Sequence, residues 1–472
     1  MSFLWKTEAF LAAAGGRLQG DPPTGIAGIS IDSRTVGSGD AFVAIRGERL
    51  DGHDFAAAAL AVGAALAVVQ EGHAPLSARP LLVVPDDPLR ALERLGAAAR
   101  ARMRGAVIAV TGSVGKTGTK EMLRAALAAA GPTHAPVGSF NNHWGVPLTL
   151  ARMPADTACG VFEIGMNHAG EIRPLTRLVR PHVAIVTTVE PVHLAHFESE
   201  AAIAEAKAEI FEGLVPGGTA VINRDNRWFD LLAARARQRG ARVVAFGEHA
   251  QADVRLERVA LKDDGSSVQA LLFGERIAYW LGAPGRHLVQ NSLAVIAACQ
   301  AAGADMARVL PALRGFQAPR GRGERITLAH PSGRFTLIDE SYNANPASMR
   351  AALALLGQAA PRGRGRRIAV LGDMLELGEA AARFHRGLAP AVGESGADLV
   401  FLAGPSMKQL WQDLPEARRG AYAESAAEIE PILLETIGPG DVIMIKASLG
   451  TRLGPLVEAV KRRFPADAAR PG

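Results

Sequence analysis

The chain has little that could cross-link it or hold it in a membrane. Its two cysteines, Cys159 and Cys299, lie in apolar surroundings, so a disulfide framework is excluded and buried free thiols are expected. No apolar run reaches the roughly 18 residues of a membrane span. Residues 1–14 lack the long apolar core of a secretory leader. We therefore expect a soluble, cytoplasmic protein without membrane insertion.

Aromatic residues are also scarce, at 5% of the chain, and the net charge is only +5. Two short Arg/Gly stretches, 319–326 and 361–368, lack the interleaved aromatic residues that are typical of RNA-binding segments. A modest basic excess is compatible with a phosphate-bearing ligand. No nucleic-acid partner is predicted.

The most informative stretch is an apolar, strand-like run that ends in a glycine-rich loop. Residues 106–117 read AVIAVTGSVGKT, and a helix-like segment follows at 118–130. In such a loop, glycines let backbone N–H groups surround phosphate oxygens, lysine adds a charge, and a Ser or Thr hydroxyl can reach Mg²⁺. The strict pattern has a further glycine where this chain has Val110, so an ordinary tight turn is the alternative. The candidate phosphate-binding residues are Gly112, Ser113, Gly115, Lys116 and Thr117.

Strand and helix patterns alternate along most of the chain, which favours α/β domains with parallel sheets. Turn-rich clusters at 85–88 and 315–323 suggest boundaries between three domains, at residues 1–84, 85–318 and 319–472. Predicted strands lie at 26–31, 40–45, 81–84, 161–163, 183–187, 219–222, 335–338, 368–371, 399–402 and 442–445, with a strand-rich stretch at 254–280. Predicted helices lie at 55–62, 89–103, 118–130, 287–302 and 306–313.

Several polar residues follow predicted strands, at the sheet edge where open α/β sheets bind ligands. Glu163 ends one such strand and is a candidate Mg²⁺ ligand, with a surface carboxylate as the alternative. His193 and His196 follow the next strand, and at most one of them is expected in a site. Lys207 lies in an amphipathic helix, and its pattern alone indicates a solvated lysine.

Two loops are unusually rich in amides. Asn141 and Asn142 lie in GSFNNHWGVP at 138–147, where they could bind a sugar or nucleotide or simply cap a turn. Tyr342, Asn343 and Asn345 lie in IDESYNANP at 338–346, which follows a strand and ends at a proline typical of a helix start. So dense a polar cluster predicts a binding function for the second loop.

In this order, these motifs resemble those of the Mur ligases of peptidoglycan synthesis. The resemblance extends from about Ser30 to Ser448 and includes IDSR at 31–34, GHDF at 52–55 and SYNANP at 341–346. It implies three domains: a small α/β N-terminal domain for the UDP end of the substrate, a central ATPase domain with a parallel sheet, and a Rossmann-like C-terminal domain.

The resemblance also implies roles for individual residues. Lys116, Lys207 and His193 would be catalytic, with Lys207 carried as a carbamate, which is anionic where an ammonium would repel Mg²⁺. The implied Mg²⁺ ligands are Thr117, Glu163, His193 and Lys207. The implied nucleotide contacts, beyond the glycine-rich loop, are Asn291, Arg322, Tyr342 and Asn343. The implied substrate contacts are Ser30, Asp32, Arg34, Asn141, Asn142 and Asn345.

The implied reaction joins D-alanyl-D-alanine to UDP-N-acetylmuramoyl-tripeptide through an acyl phosphate, with ATP and Mg²⁺ as cofactors, in a monomeric enzyme. Arg320 and Arg325 crowd Arg322, so which arginine contacts phosphate is open. The alternatives are a related ligase that adds the third residue, a folylpolyglutamate synthase, and a P-loop nucleotide-binding ATPase of another class. SYNANP argues against the first two, and the third would not need Glu163, Lys207 and the 338–346 cluster together.

Overall fold

In the computed structural model, which describes residues 3–73, 80–192 and 194–466, the strands form three separate sheets. The N-terminal sheet has five strands in the order β1-β5-β4-β3-β2, parallel except for the β1–β5 pair. Its elements are α1 (Thr7–Ala14), β1 (Arg17–Gln19), β2 (Ile29–Ser30), β3 (Ala41–Val43), α2 (Ala56–Ala61), β4 (Leu66–Gln70) and β5 (Leu81–Val84).

The central sheet has nine strands in the order β14-β13-β12-β11-β10-β9-β6-β8-β7. Neighbouring strands from β7 to β12 run parallel, whereas β12, β13 and β14 form an antiparallel meander. The elements are α3 (Pro88–Arg102), β6 (Ala106–Thr111), α4 (Lys116–Ala128), β7 (Thr133–His134), α5 (Gly145–Ala151), β8 (Cys159–Glu163), α6 (Ile172–Val179), β9 (Val183–Val186), α7 (Glu200–Ala208), β10 (Thr219–Asn223), α8 (Phe229–Gln238), β11 (Arg242–Gly247), β12 (Val254–Lys262), β13 (Gly265–Leu272), β14 (Glu275–Leu281), α9 (Arg286–Ala301) and α10 (Met306–Ala312).

The C-terminal sheet has six strands in the order β15-β16-β20-β17-β18-β19, and only β15 and β16 pair antiparallel. The elements are β15 (Glu324–His330), β16 (Gly333–Glu340), α11 (Pro346–Gln358), β17 (Arg367–Gly372), α12 (Ala381–Arg386), α13 (Ala389–Glu394), β18 (Leu399–Ala403), α14 (Lys408–Asp413), β19 (Arg419–Ala423), α15 (Ala426–Thr436), β20 (Val442–Lys446) and α16 (Leu453–Arg463).

The middle of the central sheet positions the glycine-rich loop. Strand β6 lies between β8 and β9, and in the register of these strands Val110 is opposite Glu163 while Thr111 is opposite Val186. All three strands are almost wholly buried, which explains their continuous apolar sequence. Their carboxyl ends therefore meet at one edge, directly where the loop after β6 begins.

Some element limits differ from the sequence predictions. The strand predicted at 26–31 is only Ile29–Ser30, because Ile26 makes an isolated antiparallel bridge with Trp5 instead. Helix α4 starts at Lys116 rather than at residue 118, since the glycine-rich loop leads straight into its first turn. Cys159 is only partly buried, whereas Cys299 is fully buried, and both thiols are free. No helix in the described part of the chain is long and apolar enough to cross a membrane.

The predicted divisions after residues 84 and 318 fall between the sheets. Hydrophobic packing is continuous across the first division, because α3 contacts both α1 and α5. The domain limits therefore stay a prediction.

The helix start predicted at Pro346 is present and strongly capped. The Asn345 side chain accepts a hydrogen bond from the Ser348 backbone N–H at 2.9 Å, and the Ser348 hydroxyl accepts one from the Asn345 N–H at 3.0 Å. This reciprocal pair satisfies N–H groups that a helix start leaves unpaired. Asn345 thus has a structural role in α11, in addition to the substrate role that the sequence predicts.

We expect Asn345→Ala to destabilise α11 by about 1 kcal/mol, the usual loss for an N-cap amide. Amide hydrogen exchange of residues 349–358 measures this loss. Asn343→Ala is the matched control, because the Asn343 side chain is exposed and, among the described residues, accepts a hydrogen bond only from the next backbone N–H. Equal protection of α11 in both variants would contradict the capping role.

Candidate active site

The loop after β6 is shaped so that only glycine fits at two positions. Gly112 and Gly115 have φ of 151° and 85°. A Cβ at Gly112 would lie 1.9 Å from Thr187 Oγ1, and one at Gly115 would lie 2.8 Å from Asn291 Oδ1. Backbone and neighbouring side chains thus approach the loop too closely for any other residue. The same contact places Asn291, on α9, beside the loop, while its contact with a nucleotide stays a prediction.

Lys116 curls back over this loop. Its Nζ donates hydrogen bonds to the Gly112 carbonyl at 2.7 Å and to the Ser113 carbonyl at 3.3 Å. Burial lowers the pKa of Lys116 to about 8, with the negative charge of Glu163 opposing the shift and the positive charge of Arg322 adding to it. Lys116 is therefore held at the loop within electrostatic range of both groups.

Glu163 is buried, so the surface alternative is wrong. Its Oε1 accepts a hydrogen bond from Asn141 Nδ2 at 2.7 Å. Its Oε2 is buried without a hydrogen-bond partner in the described part of the chain. A buried carboxylate oxygen without a donor is costly unless a cation compensates it. The Thr117 hydroxyl, at the start of α4, would offer a second oxygen, and oxygen is the ligand atom that Mg²⁺ prefers.

Lys207 is also buried, with 2% of its surface exposed, so the solvated-lysine alternative is wrong. Among the residues that the structure describes, none accepts a hydrogen bond from its amine or forms an ion pair with it. Burial, and then the positive charge of Lys116, holds the pKa of Lys207 well below its ordinary value. The neutral amine is the form that reacts with carbon dioxide.

Arg322 is the arginine that reaches the glycine-rich loop from the C-terminal part of the chain. Its guanidinium lies 4.3 Å from the centre of the Tyr342 ring, and its Nη2 lies 3.4 Å from Ser139 Oγ. Arg320 instead pairs with Glu458, and Arg325 donates to the Asp263 carbonyl. These contacts favour Arg322 over Arg320 and Arg325 as the phosphate-contacting arginine, which stays a prediction, and they bring Tyr342 close to Arg322.

Ser139 is a site residue that the sequence analysis missed. Its Oγ lies 3.4 Å from both Thr117 Oγ1 and Arg322 Nη2. Ser139 is two residues before Asn141 in the amide-rich loop. Its position in that loop was the one sequence feature that could have indicated a role for Ser139 in the site.

The two neighbouring amides of this loop have different surroundings. Whereas Asn141 holds Glu163, Asn142 Oδ1 accepts from the backbone N–H groups of Trp144 and Gly145 at the start of α5. The alternative in which an amide of this loop caps a turn therefore applies to Asn142, whose side-chain oxygen makes these hydrogen bonds. Asn343 is exposed, and its backbone carbonyl accepts from Lys446 Nζ at 2.9 Å.

The predicted UDP-end residues form a turn after β2. Ser30 Oγ donates to the Asp32 carbonyl, and Asp32 pairs with Arg34 at 2.7 Å. Hydrogen bonds from Arg34 lower the pKa of Asp32 to about 2, so this carboxylate stays charged. Of the two candidate histidines, His193 lies outside the described residues, and the His196 ring lies 4.5 Å from that of His168.

Comparison with known proteins agrees with this geometry. Three family models match: Mur ligase family, catalytic domain (residues 25–130), Mur ligase middle domain (110–299), and Mur ligase, glutamate ligase domain (321–449). The UDP-N-acetylmuramoyl-tripeptide–D-alanyl-D-alanine ligase of Bacillus subtilis is 32% identical, over 92% of this chain and 93% of its own. The Escherichia coli protein of that name is 36% identical, over 82% and 83%. The chain belongs to the Mur ligase family.

Solved structures confirm the α/β, three-domain fold of this Mur ligase. MurF from Acinetobacter baumannii superimposes with a TM-score of 0.84 at 31% identity, over 97% of this chain and 99% of its own. MurF ligase from Thermotoga maritima, solved in complex with ADP, gives 0.75 at 25% identity, over 92% and 97%. The sequence resemblance to the family is thus confirmed, while the roles of the individual site residues stay predictions.

The lowered pKa of Lys116 generates a pH prediction. Protonated Lys116 would attract the phosphates of a nucleotide, and this form is lost as the pH rises through about 8. We expect the Kd of the free enzyme for ADP to be flat below pH 7 and to rise above pH 8 by up to about tenfold per unit, as for loss of one proton.

Calorimetric titration from pH 6 to 9.5 measures this profile. Lys116→Met, which carries no titratable group, should bind more weakly at pH 7 and lose the alkaline rise. An unchanged rise in that variant would assign the titration to another group.

Proposed function

We propose that this Mur ligase joins D-alanyl-D-alanine to UDP-N-acetylmuramoyl-tripeptide and converts ATP to ADP and phosphate. The observation that carries the proposal is that Lys116, at the glycine-rich loop, lies within electrostatic range of both Glu163 and Arg322. Glu163 ends strand β8 of the central sheet, Lys116 begins helix α4 beside that sheet, and Arg322 comes from the segment that precedes the C-terminal sheet. The choice of substrates is supported by relatives of this name, which match over most of the chain.

The groups around the loop suit the binding of ATP phosphates. Backbone N–H groups at residues 112–117 and the N-terminus of α4 would bind phosphate oxygens. Lys116 and Arg322 add two positive charges where negative charge grows during phosphoryl transfer. Asn291, beside Gly115, would contact the rest of the nucleotide.

Thr117, Glu163 and the carbamate of Lys207 would hold Mg²⁺, with His193 as a further predicted ligand. When bound, this ion neutralises phosphate charge. Asn141 keeps one Glu163 oxygen occupied and so orients the other. The chain therefore supplies a preorganised carboxylate rather than one that must turn on binding.

The chemistry follows from the poor leaving group of a carboxylate. An oxygen of the tripeptide carboxylate attacks the γ-phosphorus, the bond to the β-phosphate oxygen breaks, and ADP leaves. The amine of D-alanyl-D-alanine then attacks the acyl carbon and loses a proton, and phosphate leaves as the C–O bond breaks. Lys116 and Arg322 would stabilise the negative charge that develops in both steps.

The carbamate of Lys207 is supported by the burial of its amine, which lowers its pKa well below the ordinary value and so raises the share of the neutral, reactive form. That amine adds to carbon dioxide, and one proton is released as the anionic carbamate forms. The product would compensate the positive charge of Lys116 and provide the oxygens that a lysine lacks. The environment of Lys207 thus favours both the reactive amine and its product.

Related enzymes share this fold but act on different substrates. Structures of a diaminopimelate-adding ligase (TM-score 0.51, 18% identity) and of the folylpolyglutamate synthase of Mycobacterium tuberculosis (0.62, 17%) resemble this chain in fold alone. A substrate panel therefore tests the proposal.

We expect phosphate release to require both UDP-N-acetylmuramoyl-tripeptide and D-alanyl-D-alanine, and the product mass to equal that of the pentapeptide. The panel includes tripeptides ending in diaminopimelate or lysine, and the UDP-dipeptide with either free amino acid. Turnover of the UDP-dipeptide without D-alanyl-D-alanine would show a ligase for the third residue instead.

We expect Lys207→Ala to lower kcat by about 10²–10³, as for removal of a group that stabilises transition-state charge. Acetate or formate should restore part of the rate by replacing the carbamate oxygens. Carbon-13 NMR with labelled bicarbonate should show a carbamate signal in the native enzyme and not in the variant.

Lys262→Ala, which changes an exposed lysine at the end of β12, is the control and should keep both signal and rate. A native enzyme that is fully active after complete removal of carbon dioxide, and has no carbamate signal, would refute the modification.

A further inference from the structure

Lys120 is a fully buried lysine of α4 that the proposed mechanism does not use. It lies three residues after Thr117 and four after Lys116, so it is on the same side of the helix as both. Its Nζ donates to the carbonyls of Pro136 at 2.8 Å and Gly138 at 3.0 Å, and it forms an ion pair with Glu121. All three ammonium protons thus have acceptors.

The two carbonyls belong to the segment 136–141, which overlaps the start of the amide-rich loop at 138–147. At its other end, the Asn141 carbonyl accepts from the Gly165 N–H at 2.8 Å, and the Asn141 side chain donates to Glu163. Ser139 lies between these two attachments, where its hydroxyl is close to Thr117 and Arg322. The segment is therefore fixed by Lys120 on one side and by β8 on the other.

We propose that Lys120 is a positioning residue, which holds residues 136–138 against α4 so that the Ser139 hydroxyl stays beside Thr117 and Arg322. The inference rests on the proposed function, because it concerns the same phosphate site. Among the described residues, Lys120 makes no hydrogen bond to the loop 112–115 or to Arg322. Its effect on the site would therefore pass through the segment 136–141.

The chemistry of Lys120 favours positioning over simple stability. A buried ion pair is commonly no more stabilising than apolar residues of the same volume. A methionine could fill the space but could not donate to two carbonyls at once. Lysine is therefore required at position 120 to hold the backbone of residues 136–138. Val137, in the middle of this stretch, is 86% exposed, so its side chain does not hold the stretch by packing.

The test compares Lys120→Met with Arg124→Met. Arg124 also pairs with Glu121, at 2.8 Å, but on the exposed side of α4, and it makes no hydrogen bond or ion pair with residues 136–141 in the described part of the chain. For Lys120→Met we expect binding of ADP with Mg²⁺ to weaken at least about tenfold and kcat to fall about 10²-fold, the effect of a small displacement of a positioning group. Hydrogen exchange at 136–141 should accelerate in this variant alone, and Arg124→Met should match the native enzyme.

A folded Lys120→Met that binds ADP with Mg²⁺ within twofold of the native enzyme, at unchanged exchange rates, would overturn the proposal. If Lys120→Met does not fold, the Gly138→Ala variant provides the test of the positioning role instead. Gly138 has φ of 78°, and a Cβ added there would have no heavy atom within 4 Å, so alanine strains the same turn without a clash. Weaker binding with faster exchange at 136–141 would support the proposal, and native values would refute it. ADP binding needs no ligase substrate, so these results stand even if the proposed ligation is not observed.

Discussion

The site depends on the balance of charge around one buried carboxylate, that of Glu163. Lys207 is fully buried and Lys116 is half-buried, and loss of contact with water lowers the pKa of both. Glu163 opposes this shift at Lys116, which keeps a cation at the glycine-rich loop near neutral pH. Since buried charges are stable only when paired, the arrangement favours further anionic groups, which the phosphates of ATP and a carbamate would provide.

The sheet brings these groups together. Strands β6, β8 and β9 are adjacent and parallel, so the loop residues, Glu163 and Thr187 follow them at a single edge. Arg322 and Tyr342 reach the same place from residues that flank β15 and β16. The candidate phosphate site thus combines groups next to the central sheet with groups next to the C-terminal sheet, and a change in the relative position of the sheets would separate Arg322 from Ser139.

Much of this organisation is predictable from local sequence. Strand β5 agrees with its prediction to the residue, because an apolar run ends directly at a turn-rich cluster. Gly112 and Gly115 are where the motif requires them, and their positive φ values explain why. Features set by distant contacts are not predictable in this way. The short β2 results from the pairing of Ile26 with Trp5, which no local pattern shows.

The same limit applies to the site. Helix α7 has an ordinary amphipathic sequence, and Lys207 becomes buried only through tertiary packing. Arg320, Arg322 and Arg325 have equivalent sequence surroundings, and the position of Tyr342 and Ser139 distinguishes Arg322. Ser139 was overlooked because hydroxyls are less distinctive than the neighbouring amides. The functions of these residues stay predictions until variants are measured.

The central claim is that the acceptor carboxylate is activated by phosphorylation at this site. Its most direct measurement is oxygen transfer, with ¹⁸O in both oxygens of the tripeptide carboxylate. The account predicts that one labelled oxygen appears in inorganic phosphate for each pentapeptide formed, while the other stays in the new amide. Unlabelled phosphate from productive turnover would contradict it.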